Sequence, residues 1–334
     1  MRESTVIKHS PAPDRAVATD LEQYRVELAG YCYRMLGSAF EAEDAVQETM
    51  IRGWRAIDRF EGRAALRTWL YRIATNVCFD MLEGRQRRAR PMDLGPASTF
   101  NTPLPAPLPE MAWVGPIPGS LLLSDTGDPA ELALSRETVR LAFVTALQRL
   151  PPRQRAVLIL REVLRWKASE VAELLDTTVV SVNSALQRAR STLTASNPAA
   201  SDAFEPMDAE QQQLLARYVD AFERYDLESL VALLHEDATQ SMPPFDLWLR
   251  GHADITGWYL GAGIGCRGSR VVPAVSANGM PTFGQYKPNP AGDGLVPWSL
   301  QVLEISDGLI RGLNFFLDTD RLFPLFGLPL QPER

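Results

Sequence analysis

The chain has 334 residues, 46% of them hydrophobic and 22% charged, and carries a net charge of −7. These are the proportions of an ordinary globular protein of two or three domains. They exclude membrane-spanning and disulfide-stapled classes, because no apolar run approaches a span and Cys32, Cys78 and Cys266 stand far apart, as reduced thiols in a cytosol do. The only histidines are His9, His235 and His252, with no metal-ligand spacing, and no glycine-rich phosphate loop is present, so neither metal nor cofactor is expected. Residues 201–334 hold 9 Lys/Arg against 18 Asp/Glu, a local −9 that leaves about +2 for residues 1–200. An acidic second half argues against DNA contact there, and a mildly basic first half must gather its charge locally to bind a polyanion.

In chain order, residues 1–20 are polar, without a hydrophobic signal segment, and read as a flexible arm. Residues 41–55, EAEDAVQETMIRGWR, space Ala42, Ala45, Val46, Thr49, Met50, Gly53 and Trp54 as one face of an amphipathic helix, continuing to Ile57. Glu41, Asp44, Gln47, Glu48, Arg52 and Arg55 make the other face, with Glu48 and Arg52 paired at i, i+4. The following stretch, FEGRAALRTWLYRIATNVCFDMLEGRQRRAR, places Leu66, Leu70, Ile73, Val77 and Met81 on a core stripe. Trp69, Arg72, Asn76 and Asp80 fall on a neighbouring face, and Arg85, Arg87, Arg88 and Arg90 close the segment. Guanidinium groups suit phosphates, and aromatic and amide side chains suit an unstacked base, although a core Trp and a solvated basic end would give the same pattern.

Residues 91–135 contain no Lys or Arg and 9 of the 25 prolines, a composition expected to form an extended linker rather than pack a core. From 136 to 193 there are 10 basic and 5 acidic residues. LPPRQRAVLILREVLRWKASEVAELLDTTVVSVNSALQRARSTL predicts three helices: one started by Pro151 and Pro152, one capped by Ser169, and one capped by Thr178 after a turn at Asp176-Thr177. Short helix, turn and longer basic helix make a helix-turn-helix. Ser181, Asn183, Ser184 and Gln187 would face base edges, while Arg153, Arg155, Arg188 and Arg190 would neutralise phosphates.

After a second short linker, residues 207–334 change character. Asp208 can cap LLARYVDAFERY and Asp226 can cap LESLVALLH, with His235 as that helix's C-terminal residue. Asn278-Gly279 and Asp307-Gly308 each lie between β-rich runs, the mark of two-residue hairpins. Helices followed by an antiparallel sheet make an α+β domain.

Taken together, the two helical blocks resemble the sigma-70 family of bacterial RNA polymerase subunits, most of all its extracytoplasmic-function group. AEDAVQETMIRGWR (42–55) is similar to the family's core-binding helix, FEGRAALRTWLYRIATNVCFDML (60–82) to the segment that opens and reads the −10 element, and LPPRQRAVLILREV (150–163) with SVNSALQRARSTL (181–193) to the −35 reader. WVGPIP (113–118), NGMP (278–281) and FGLP (326–329) resemble the subgroup with a C-terminal SnoaL-like domain, which has a cone-shaped fold. The resemblance implies a multidomain chain: an arm at 1–20, an all-α region 2 at 21–90, a linker at 91–135, a region 4 helix-turn-helix at 136–196 and an α+β SnoaL-like domain at 207–334. It implies that Asp44, Gln47, Glu48, Arg52 and Trp54 dock on the clamp helices of the β′ subunit of core polymerase. It implies that Arg63, Arg67, Trp69, Arg72, Asn76, Arg85, Arg87 and Arg88 bind −10 DNA, and that Arg153, Arg155, Thr178, Ser181, Asn183, Ser184, Gln187, Arg188 and Arg190 bind −35 DNA. The family pattern has cations where this chain has Asn183 and Ala185, which should weaken and flatten the salt dependence of −35 binding.

The tail is expected to modulate the sigma modules and leaves room for a small-molecule ligand. Chemistry there would need a carboxylate base and a neutral donor in an apolar pocket. Asp237, His235, His252 and Asp254, with Trp248, Trp258 and Tyr259 as walls, are the candidates, and no spacing among them assembles a site, so no enzyme is expected. The same features also fit a one-component helix-turn-helix regulator with a ligand-sensing tail, which would need no polymerase-binding helix.

Overall fold

The computed structural model describes residues 21–60, 65–122, 138–195, 208–292 and 294–331. The arm at 1–20, Arg63 and the end of the linker lie outside the described residues.

Three helices, α1 (Arg25–Leu36), α2 (Ala39–Ala56) and α3 (Leu66–Leu82), pack as the first module. Ser38 caps α2, accepting from the Glu41 amide at 3.4 Å. Gly53 lets α2 approach α3, since a Cβ there would stand 3.1 Å from Leu70. On α3 the buried residues are Leu70, Tyr71, Ala74, Thr75, Val77 and Cys78, whereas Leu66, Ile73 and Met81 are only half-buried. The stripe is rotated from the expected one because α3 is covered on a second side by the helix-turn-helix module, which the Tyr71 and Trp166 rings join at 5.0 Å.

The linker departs most from expectation. Its described part, residues 91–122, runs through three short 3₁₀ turns and packs: Trp113, Val114, Ile117 and Leu122 are each no more than 6% exposed. Burying such side chains is worth roughly 1.5–3 kcal/mol apiece. Proline removes donors without removing carbonyls or apolar surface, and neighbouring groups supply the polar partners. The Gly115 amide donates to the Gly37 carbonyl at 2.9 Å, the Val114 amide to Ala89 at 3.1 Å, and the Tyr33 hydroxyl to the Gly115 carbonyl at 2.8 Å.

The second module holds α4 (Leu141–Gln148), α5 (Pro152–Leu158) running into a π turn at Ile159–Val163, α6 (Ala168–Leu174) and α7 (Val179–Ala195). Asp176 takes the left-handed conformation in the turn, and Thr178 caps α7 by accepting from the Ser181 amide at 3.1 Å. Ser169 is not the cap of α6. The helix starts at Ala168, and Glu170 reaches back to the Lys167 amide at 2.6 Å.

The third module begins with α8 (Ala209–Arg224) and α9 (Leu227–Val231), capped by Asp208 and Asp226 as expected. The second helix is shorter than predicted. His235 lies not at a helix end but in β1 (Leu234–Ser241), which pairs in parallel with β6 (Leu309–Phe316). With β2 (Trp248–Arg250), β3 (Arg270–Pro273), β4 (Thr282–Pro288) and β5 (Leu295–Ser306), these form one sheet in the order β2-β1-β6-β5-β4-β3. Helix α10 (Gly251–Leu260) packs on β1 and α11 (Thr319–Leu325) on β5. Both predicted hairpins form, with Asn278, Gly279, Asp307 and Gly308 all at positive φ.

The sheet's two faces belong to different cores. Phe283, Leu303, Leu313 and Phe315 point into the cone with α8. Tyr286, Leu300, Val302 and Phe316 join a core that is continuous with α1, α3, the linker and the helix-turn-helix. The alternation along a strand thus puts successive residues into separate cores.

Candidate polymerase and nucleic-acid interfaces

On α2, Asp44, Gln47, Ile51 and Trp54 are exposed at spacings of three and four, which makes one outward stripe. Trp54 is 40% and Ile51 42% exposed. Trp54 therefore leaves the apolar stripe for this outward one, and Ile51, which sequence reasoning passed over, joins it. Glu48 and Arg52 pair at 2.7 Å, and Arg52 also reaches Asp80 on α3 at 3.2 Å, so Arg52 ties α2 to α3 beside this face.

The −10 candidates divide. Asn76 and Arg87 are exposed on the α3 side of the module. Arg85 is exposed and holds Glu41 at 2.5 Å. Trp69 is half-buried and tilts against Phe60 at 5.1 Å. Two others meet the helix-turn-helix module. Arg67 pairs with Glu27 at 2.8 Å and lies 5.3 Å from both the Tyr71 and Trp166 rings. Arg72 donates to the Glu173 carbonyl at 2.6 Å, at the end of α6. Arg88 does not fit a DNA role here. It is 6% exposed, donates to the Glu110 and Trp113 carbonyls at 2.9 and 2.7 Å, and pairs with Glu41 at 2.8 Å. It clamps the linker to the first module.

In the second module Arg153, Thr178, Ser181, Asn183, Gln187 and Arg188 are exposed and Ser184 is half-buried. Arg190 is exposed and paired with Glu162 at 2.7 Å. Arg155 is the correction. It is 3% exposed and donates to Met35 O, to Gln148 Oε1 at 2.7 Å, and to the Gln148 and Leu150 carbonyls at 3.1 Å each. Its guanidinium joins α5 to the end of α1 and is not available to phosphate. Burial pushes it down to about 10, which leaves it charged at neutral pH. Val179 and Val180, the latter 75% exposed, stand at the start of α7 beside Ser181. Sequence reading missed them, although two apolar residues at the N-terminus of a recognition helix are suited to thymine methyls.

The third module holds the first two through one turn. Asn278 is fully buried, and its Oδ1 accepts from the Ile117 amide at 3.1 Å. Its Nδ2 donates to the Tyr33 hydroxyl and to the Val139 carbonyl, each at 2.6 Å, and its amide donates to Ile117 O at 3.0 Å. Four segments thus meet at a hairpin tip. Around it, Gly119 donates to Ser276 O at 2.8 Å, Arg321 pairs with Glu110 at 2.9 Å and covers the Phe40 ring at 3.8 Å, and Arg90 lies 3.6 Å from Glu304.

The proposed chemical residues of the tail do not converge. Asp237 pairs with Arg250 at 2.9 Å, Asp254 accepts from the linker amide of Phe100 at 3.0 Å, and Trp248 donates to Gly95 O at 3.0 Å. His252 Nε2 meets the Leu234 and His235 carbonyls at 3.2 and 3.1 Å. Only Trp258 and Tyr259 line the cone's cavity. Among the described residues no helix is long and apolar enough to cross a membrane, and no cluster could hold a metal.

Comparison with known proteins bears on these surfaces. The family model "Sigma-70 region 2" matches residues 21–88, "Sigma-70, region 4" residues 140–193 and "SnoaL-like domain" residues 215–312. The chain is 45% identical over 323 residues to the ECF RNA polymerase sigma factor SigG of Mycobacterium tuberculosis, covering 96% of this chain and 86% of that one. It is 31% identical over 181 residues to SigW of Bacillus subtilis, covering 53% of this chain and 87% of that one. The crystal structure of Mycobacterium tuberculosis SigJ has the same fold, with a TM-score of 0.58 at 23% identity over 94% of this chain and 99% of that one. With both sigma regions in order and a relative this similar along nearly its whole length, the chain belongs to the extracytoplasmic-function sigma factors of RNA polymerase.

Proposed function

We propose that this arrangement is a closed state of the sigma factor and that the C-terminal domain holds it closed. The observation that carries the reading is the Asn278 turn, whose amide joins α1, the linker and the start of the second module in one buried junction. The −10 and −35 elements lie about 25 base pairs apart, about 85 Å of duplex at 3.4 Å per step. Here the modules that read them share a core, with Arg72 bonded to the Glu173 carbonyl and Arg155 of α5 donating to the Met35 carbonyl of α1. One body of this kind cannot span both elements, and Arg67 and Arg72 serve region 4 while they do so. Opening must separate the modules and draw the linker off Tyr33 and Arg88.

In this reading core polymerase, on the clamp helices of β′, takes the stripe of Asp44, Gln47, Ile51 and Trp54, which is exposed in the closed state. Asn76, Arg85, Arg87 and Trp69, with Arg67 and Arg72 once released, take −10 DNA. The face of α7 and Arg153 take −35 DNA. The factor works where polymerase and promoter DNA are, in the cytoplasm. The tail acts by packing, meeting α1, the linker and the start of the second module at the Asn278 turn.

Reconstituted transcription with core polymerase tests this, comparing the full chain, a chain ending near residue 207, and Asn278→Ala. Both altered proteins should change promoter-specific initiation in the same direction. Unaltered initiation and unaltered core binding by both would end the regulatory reading, and failure of the full chain to form a complex with core would end the interface assignments.

A further inference from the structure

The junction at Asn278 is built on the one Asn-Gly pair of the chain. Asn278 and Gly279 are the central residues of the turn between β3 and β4, both at positive φ, with Ala277 and Met280 bonded to each other on either side. This dipeptide has a reaction of its own. Glycine has no Cβ to shield its nitrogen, so the Gly279 nitrogen can attack the side-chain carbonyl carbon of Asn278. The N–Cγ bond forms, the Gly279 amide proton passes to water, and Nδ2 takes a proton from water and leaves as ammonia. Water then opens the succinimide ring at either carbonyl, giving aspartate or isoaspartate. In sum one water is consumed and one ammonia released, without enzyme, oxidant or cofactor.

Closure opposes each of these steps. Asn278 is fully buried, shut off from the water that must carry protons and open the ring. Its Oδ1 accepts from the Ile117 amide at 3.1 Å, and its Nδ2 donates to the Tyr33 hydroxyl and the Val139 carbonyl at 2.6 Å each. Turning the side chain onto Gly279 gives up these bonds. The attacking nitrogen is under no such restraint: Gly279 is only half-buried, and among the described residues its amide donates to no acceptor. What holds the reaction back is therefore the surroundings of the side chain. They belong to α1, the linker and the start of the second module, which opening withdraws.

The product cannot rebuild the junction. Both N–H donors are gone, and the Tyr33 and Val139 oxygens face a carboxylate in their place. The Tyr33 proton is given to the Gly115 carbonyl at 2.8 Å. Arg34 and Arg88, the cations whose field reaches Tyr33, are bonded elsewhere, Arg34 to Gly30 and Thr138 and Arg88 to Glu41, Glu110 and Trp113. A buried charge without a partner is far costlier than a buried amide. Isoaspartate also adds a carbon to the backbone of a two-residue turn, where loop length fixes the strand register.

We propose that Asn278 is a deamidation site protected by closure: a factor that stays open converts there, and its tail then no longer holds it closed. This rests on the closed-state reading and gives it a direction, since opening is reversible at first and becomes permanent with time.

The test follows the peptide spanning Asn278 by mass spectrometry while the full chain is incubated alone, bound to core polymerase, and in urea as the unprotected reference. Conversion in the free chain should be at least about tenfold slower than in urea, and binding to core should raise it at least about fivefold. Tyr33→Phe, checked for parental helix content, should convert about fivefold faster than the parent, the effect of one hydrogen bond. Asn278→Asp should show the larger scattering radius of an opened chain. Equal conversion of the free chain and the urea reference, no acceleration by core, Tyr33→Phe at the parental rate, or a parental radius for Asn278→Asp would each overturn the proposal. If Asn278→Asp opens but core binding and Tyr33→Phe accelerate nothing, the closed-state reading stands and the deamidation site falls. If Asn278→Ala and Asn278→Asp both keep the parental radius, the closed-state reading falls with it.

Discussion

The side-chain amide of Asn278 donates to the phenol oxygen of Tyr33 at 2.6 Å, across 245 positions of sequence. Asn278→Ala removes this bond and those to Val139 O and from the Ile117 amide, at about 1 kcal/mol each. It also puts a residue that lacks a turn-compatible side chain at a positive φ. Closure should weaken by about 2–4 kcal/mol. Small-angle scattering should show a larger radius, and proteolysis should cut the linker faster. An unchanged radius with an unchanged cleavage rate would remove Asn278 from the account.

Closure should also have a defined response to pH. Burial pushes the Tyr33 phenol above its ordinary value, while in the opened chain it ionises near about 10. The closed form favours the neutral phenol, so its contribution is whole below about pH 10 and is lost as pH rises further. Asn278, Ile117 and Val139 do not titrate. Scattering from about pH 6 to 9 should therefore be flat, and a midpoint near neutrality would point to a different junction.

Arg153 and Arg155 are two residues apart and should behave oppositely. Arg153→Ala should leave stability within about 0.5 kcal/mol and reduce the salt slope of −35 binding by about one. Arg155→Ala strands four oxygen acceptors in the core and should cost about 3 kcal/mol or more by denaturant unfolding. A DNA defect for Arg155→Ala in protein of parental stability would restore its place as a phosphate contact.

On α2, Asp44→Arg and Trp54→Ala should each weaken core binding by about tenfold or more and change the unfolding midpoint little, because both side chains are exposed. Binding of a −35 duplex should persist. Full core binding by the double variant would displace the docking face from α2.

On α7, Asn183→Ala should relax preference at one base position at about 1–3 kcal/mol, as loss of a base-edge contact does. Arg188→Ala should instead weaken all sequences alike. Competition with point-substituted −35 duplexes separates the two patterns.

What could be read from the chain was what local chemistry decides. The caps at Asp208, Asp226 and Thr178 depend on residues three positions on, and the turns at Asn278-Gly279 and Asp307-Gly308 depend on two residues' tolerance of positive φ. What escaped depends on distant partners. Strand β1, written LHEDATQS, is too polar to announce itself and exists because β6, some seventy residues on, offers a parallel edge. Arg88 and Arg155 look like any surface arginine until the carbonyls of Glu110, Trp113, Met35 and Leu150 surround them. The linker's prolines accompany three short 3₁₀ turns in its described part, residues 91–122. That Trp113 and Ile117 would be buried followed from a groove made elsewhere.

The core that wraps Tyr33 and Ile117 is completed by residues near the far end of the chain, Phe316, Leu322 and Phe323 among them. Ribosomes add about 5–20 residues per second. About ten to forty seconds therefore separate synthesis of the first module from synthesis of the residues that cover it. If the closed-state proposal holds, a nascent chain is open, with its linker unseated, until the segment around Phe316–Phe323 has been made.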